Sequence, residues 1–443
     1  MKILWICNIA LPRVAEYLHM EASNKEGWLT GLSDRLLEQS RKNDIELAVA
    51  FPVQEDQSKW EIPVPEYGAQ LTAYGFVEDT AHPETYPEGL EERLRRIIED
   101  FKPQVVHCFG TEFPHTLAAT RVCEKEKILL GIQGLCAIYA KAYLADLPEA
   151  VIRRVTFRDL LRKDSIMQQQ QKFEKRGEME QEAIRNAGHV TGRTWIDKKY
   201  TADCNPRVQY HFMNETLRRN FYEGKWNIEQ CEKHSIFLSQ GDYPIKGLHY
   251  MLQAMPEILE KYPDAKVYVA GNCIVRQDTW KDEIKISSYG KYLLDLIKQY
   301  HLQDKIIFLG KMDAGAMKEQ FLKSSLFVCP STIENSPNSL GEAMLLGMPC
   351  VTANVGGIRS IFEDGRDGIA YPGFGADLYK DAPHKEQAQA KELARAVLQM
   401  WSDEEKMREY GNRAREHACR THDGDENFRT LIQIYEKIAE GRA

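Results

Sequence analysis

Two carboxylates and a lysine in the second half of the chain have the types and spacing to handle an anionic, hydroxyl-rich ligand. Residues 329–357, CPSTIENSPNSLGEAMLLGMPCVTANVGG, place Glu334 and Glu342 with seven residues between them. They bracket a loop rich in Pro, Asn and Ser. The apolar run Leu326–Cys329 predicts a short buried strand, and Leu340–Leu346 has helical spacing. Gly347 and Pro349 stop that helix, and a second strand, Cys350–Val355, runs into Gly356-Gly357. In a parallel α/β sheet, ligands bind where loops leave the carboxyl ends of strands, and a helix N-terminus there offers unpaired N–H groups to an anion. Such a place suits a diphosphate. Lys246-Gly247, in SQGDYPIKGLHYML, also sits where a strand turns into a helix, and a lysine there adds a point charge. Each residue has a plain structural alternative. Ser339 and Glu342 fit a helix capping box, Glu334 fits a solvated loop charge, and Lys246 fits an ordinary surface lysine.

The full pattern, PS-x-x-E-x7-E-A-M-x-x-G-x-P-x-V-x-x-x-x-G-G, resembles the nucleotide-sugar site of retaining glycosyltransferases with the GT-B fold, the family-4 (group 1) type that builds bacterial surface glycans. The resemblance spans about residues 235–375 and is patchy before that. It implies an α/β protein with two Rossmann-like parallel-sheet domains facing a cleft and a last helix crossing back to the first domain. It also implies a UDP or GDP type of nucleotide diphosphate sugar as donor, held by the second domain, and a glycan or lipid-linked acceptor held by the first. The implied roles are Glu342 to the ribose hydroxyls and Glu334 to the donor sugar. The amides of Asn338, Ser339 and Leu340, with Lys246, face the diphosphate, while Gly310, Lys311 and Met312 lie beside the base. The implied reaction moves a hexose with retention of configuration, in capsule, exopolysaccharide or lipopolysaccharide synthesis. No covalent nucleophile is firmly established in the resembled family, so catalysis rests mostly on electrostatic stabilisation of the leaving diphosphate.

Several positions depart from the family pattern. The Arg usual about five residues before the lysine is Gly241 here, followed by Asp242. Arg193, in HVTGRTWIDKKY, is a candidate substitute on the cleft rim, with a surface ion pair as its plain reading. Where many relatives carry a His facing the donor sugar, ILLGIQGLCAIY offers Gln133, which can hydrogen-bond but cannot titrate. In place of the relatives' paired glycines near the first βα turn, Gly27 stands alone before Trp28. It could admit the diphosphate or acceptor close to the backbone, or simply end the turn. His107 and His115 lie near a strand end and are read as structural. The only D-x-D, Asp423-Gly424-Asp425, precedes the last helix with Asp425 as its N-cap, so no metal site is expected. The absence of a G-x-G-x-x-G turn argues against a dinucleotide oxidoreductase.

At 443 residues with a net charge of −8, the chain can bury two cores, and its acidic balance gives no reason to expect nucleic acid. Ten cysteines without a C-x-x-C pair suit reduced thiols in a cytoplasmic protein. Ile3–Leu11 reads as a first buried strand in preference to a signal peptide. Strand and helix patterns alternate through both halves, predicting βαβ units. Residues 52–87 read as an insert at the sheet's rim, and residues 137–188 as mostly helical, with Gln168–Gln171 on an exposed helix face. The expected domains are 1–215, 216–425 and a returning helix over 426–443.

Residues 149–163, EAVIRRVTFRDLLRK, hold five cations and two carboxylates in this acidic protein. Thr156 and Asp159 fit a capping box, after which Phe157, Leu160 and Leu161 share one helical face. Peripheral docking at the inner membrane is one reading; a solvated face on an ordinary core-packing helix is the plainer one. Other functions consistent with the pattern are a sugar-nucleotide epimerase, a phosphorylase, and a non-catalytic sugar-nucleotide binder.

Overall fold

Short runs rich in Val, Ile and aromatic residues become strands because such side chains pack well on a pleated, buried surface. In the computed structural model, which describes residues 1–20, 27–55, 59–276 and 279–441, these strands form two sheets. The first holds β1 (Lys2–Ile6), β2 (Glu46–Val53), β3 (Lys59–Val64), β4 (Ala69–Val77), β5 (Val105–Phe109), β6 (Ile128–Gly131), β7 (His189–Gly192) and β8 (Gln209–Phe212). Its order is β3-β4-β2-β1-β5-β6-β7-β8. Every pairing is parallel except that of β3 with β4. Residues 52–87 do lie at the sheet's edge, but they build two of its strands instead of an irregular insert, with β4 paired to β2 from Leu47↔Leu71 to Val53↔Val77. The Pro, Glu and Thr content of this stretch masked the alternation of Leu71 and Ala73, which are buried on one face of β4.

The second sheet holds β9 (Glu232–Leu238), β10 (Lys266–Ala270), β11 (Ile306–Gly310), β12 (Ser324–Cys329), β13 (Cys350–Asn354) and β14 (Ile369–Pro372). It is wholly parallel in the order β11-β10-β9-β12-β13-β14. Chain contacts divide the protein into one unit of residues 1–138, 172–218 and 422–443, and another of 139–171 and 219–421. In the first unit the last helix, Gly424–Ala439, drives Leu431 and Tyr435 into the core beside Trp5. The indole of Trp5 donates to the Tyr435 hydroxyl at 2.9 Å. Asp423 caps this helix, accepting from the amides of Asp425 and Glu426 at 2.9 Å, so the cap lies two residues before the one expected.

Residues 139–171, read from sequence with the first domain, group with the second sheet. Tyr250 donates to the Ala145 carbonyl at 2.7 Å, and the buried Asp159 carboxylate accepts from the Ser288 amide at 2.9 Å. Both pairs join residues more than a hundred positions apart, beyond the reach of local pattern. The glutamine run is only partly exposed: Gln169 and Gln170 donate to the carbonyls of Asp164 and Ala140, at 2.9 and 3.0 Å. Among the described residues, no helix is long and apolar enough to cross a membrane.

Candidate active site

The second sheet reverses its winding between β9 and β12, the topological switch point at which ligands bind in open α/β sheets. Lys246 follows β9 and Glu334 follows β12, so 88 residues of sequence separation close to a contact. Lys246 Nζ lies 2.7 Å from Glu334 Oε1, which also accepts from the Ser331 hydroxyl at 2.7 Å. Burial alone would lower the Lys246 pKa, but the adjoining Glu334 carboxylate outweighs it and holds the ammonium well above its ordinary value. The pair is a fixed cation beside a fixed carboxylate, both oriented and largely out of water.

Glycines permit this approach. Gly247 has φ +71°, and a Cβ there would fall 2.0 Å from the Pro330 carbonyl oxygen. Gly356 has φ +51°, its Cβ would fall 2.1 Å from the Glu334 carbonyl oxygen, and the Gly357 amide donates to that oxygen at 2.8 Å. The Gly-Gly at the end of β13 thus seats the Glu334 loop. Gly356→Ala is expected to lower stability by about 1–3 kcal/mol through left-handed strain and to displace Glu334. A thermal melt would show the loss, and an unchanged melting temperature would overturn this role.

The helix over Asn338–Leu345 begins after Pro337, so Ser339 lies inside its first turn and cannot cap it. The Ser339–Glu342 capping box does not form. Glu342 is instead buried within the helix, where a carboxylate is rarely placed without a polar purpose. The Leu340 amide donates to the Pro337 carbonyl at 3.0 Å, which commits it locally; Asn338 and Ser339 are half-buried at the helix start. Gly310 ends β11 with φ +78° and open space around the Cβ position, followed by exposed Lys311 and half-buried Met312.

The remaining candidates belong to the first unit. Arg193 is not a rim cation: it is buried, its Nη2 2.8 Å from Glu215 Oε2 and its Nη1 donating to the Ile132 carbonyl at 3.3 Å. Gln133 Nε2 donates to the other Glu215 oxygen at 2.7 Å, so Glu215 joins the two. Burial pushes the Glu215 carboxyl up, while Arg193 and Gln133 pull it down. Glu180 anchors the loop after Gln133, accepting from the Cys136 amide at 3.0 Å and the Tyr200 hydroxyl at 2.8 Å. Sequence reasoning missed both glutamates, which sit in polar stretches without a motif. Gly27 opens the helix Gly27–Asn43, and residues 21–26 before it lie outside the described residues. His107 and His115 are buried in the core; Tyr435 lies 2.7 Å from His107 Nδ1, and burial pushes the His107 pKa down to about 3.

The family model described as glycosyl transferases group 1 matches residues 219–417, the stretch that carries Lys246, Glu334 and Glu342. That stretch of the chain is similar to this family. An uncharacterised glycosyltransferase of Methanocaldococcus jannaschii is 32% identical over 146 residues, 33% of each chain. The chain spans about a third to a half of the length of the first curated relatives it matches. Among solved structures, sucrose-phosphate synthase from Thermosynechococcus elongatus is similar over 99% of both chains, with a TM-score of 0.68 at 14% identity. HepE of Anabaena, solved with UDP, covers 99% of this chain and 100% of its own, with a TM-score of 0.62 at 12% identity. These likenesses establish the fold as GT-B.

Proposed function

We propose that this protein is a group 1 glycosyltransferase that moves a hexose from a UDP or GDP type of sugar nucleotide to a glycan or lipid-linked acceptor, with retention of anomeric configuration, in bacterial surface-glycan synthesis. The observation that carries the reading is the Lys246–Glu334 pair, 2.7 Å apart at the switch point of the second sheet. In this reading the Lys246 ammonium neutralises the charge that grows on the departing diphosphate as the glycosidic bond breaks. Glu334 holds that ammonium in place and accepts from a hydroxyl of the donor sugar. The diphosphate leaves from the face that the acceptor hydroxyl attacks, and the acceptor proton passes to the departing phosphate oxygen. A UDP-bound structural neighbour supports a nucleoside diphosphate as the ligand class.

Glu342 is assigned to the ribose hydroxyls. A buried charge-assisted hydrogen bond is worth about 1.5–3 kcal/mol, so Glu342→Ala is expected to weaken nucleotide binding about 10–100-fold. Calorimetric titration of UDP and GDP into the wild type and the variant tests it. Equal affinities would reduce Glu342 to a structural residue, and failure of the wild type to bind either nucleotide would sink the reading.

A further inference from the structure

The basic segment 149–163 does not pack its apolar face into the core. Its capping box forms as Thr156 and Asp159 require, but Asp159, not the apolar face, points inward to hold Ser288. Phe157, Leu160 and Leu161, spaced to share the opposite side of the turn, are 59%, 68% and 68% exposed. The neighbouring helix Trp280–Lys285 adds Trp280, also 68% exposed. Soluble proteins scatter single apolar residues over their surfaces, but grouped large ones mark an interaction site.

The charges select the partner. Glu149 pairs with Arg153 at 2.5 Å, and Arg158 lies 3.1 Å from Asp159 and 3.3 Å from Asp164. The segment's own acids, and Asp164 just after it, are thus answered by its arginines. Arg162 and Lys163 are exposed, and among the described residues neither forms an ion pair. Leucines and aromatics beside unanswered cations match an anionic lipid interface: the apolar groups enter the acyl boundary and the cations meet phosphates. Arg158 and Lys285 continue this surface into a cavity of about 470 Å³ that reaches Asp242, four residues before Lys246.

The geometry points to a peripheral docking surface for anionic phospholipid, built from Phe157, Leu160, Leu161 and Trp280 with Arg162 and Lys163. It stands independently of sugar transfer, since its readout is lipid binding.

Sedimentation of the full chain with vesicles of phosphatidylcholine alone or mixed with phosphatidylglycerol tests it. Binding is expected to the anionic vesicles only, and to weaken with salt. R162Q/K163Q should lower the partition coefficient about 25-fold, fivefold for each cation near the surface. F157S/L160S/L161S should abolish binding at an unchanged melting temperature, because these side chains are already exposed. Equal recovery in the supernatant with both vesicle types would overturn the proposal. So would concentration-dependent dimerisation lost in the triple variant without lipid binding, which would assign the face to a second copy of the chain.

Discussion

Lys246→Ala is expected to lower turnover by roughly 10²–10³-fold, the range seen when one preorganised group facing a developing charge is removed, with a much smaller loss of nucleotide affinity. The leaving diphosphate gains charge only as the sugar departs, so a cation held 2.7 Å from Glu334 acts more on the transition state than on bound donor. Steady-state rates with titrations of UDP separate the two effects. With leaving-group charge assigned to the lysine, activity is expected to persist in EDTA. A turnover equal to wild type, or strict dependence on Mg²⁺ or Mn²⁺, would remove Lys246 from the chemistry.

Glu334→Ala is expected to abolish detectable transfer while leaving nucleotide binding nearly intact, since the proposed function sets this carboxylate against the sugar and not the nucleoside. The change also strands the Lys246 ammonium among buried groups; breaking such a pair costs about 3 kcal/mol. Burial alone lowers the lysine's pKa, so once Glu334 is gone the stability deficit should grow as pH falls through the unfolded lysine's range. Lys246→Met/Glu334→Gln distinguishes the two losses. Removing both charges should restore the melting temperature but not activity. Recovery of activity in the double variant would show that the pair serves stability alone.

Much of the site could be located in advance because its residues sit at strand ends, where turn chemistry is local. Lys246-Gly247 and the stretch from Pro330 to Gly357 each announce a strand, a loop and a helix. The capping box at Ser339 could not be judged that way. Its pattern is correct, yet Pro337, favoured just before or at a helix start, begins the helix earlier and carries Ser339 inside. Arg193 misled for another reason. A lone arginine after a strand looks solvated unless its partner is known, and Glu215 lies 22 residues on in a polar stretch.

The sequence by itself determined the βαβ alternation, the parallel second sheet and the order of chemical groups along it, since each follows from periodicity and turn residues acting over a few positions. Only the tertiary structure decided which groups meet. The contact of Lys246 with Glu334 depends on β9 and β12 lying side by side. The burial of Arg193 depends on a glutamate from beyond β8. The direction of residues 149–163 was decided in the same way. Their apolar face has the spacing of a core helix, but the carboxylate of Asp159, bonded to Ser288 more than a hundred residues away, turns inward and leaves Phe157, Leu160 and Leu161 in water.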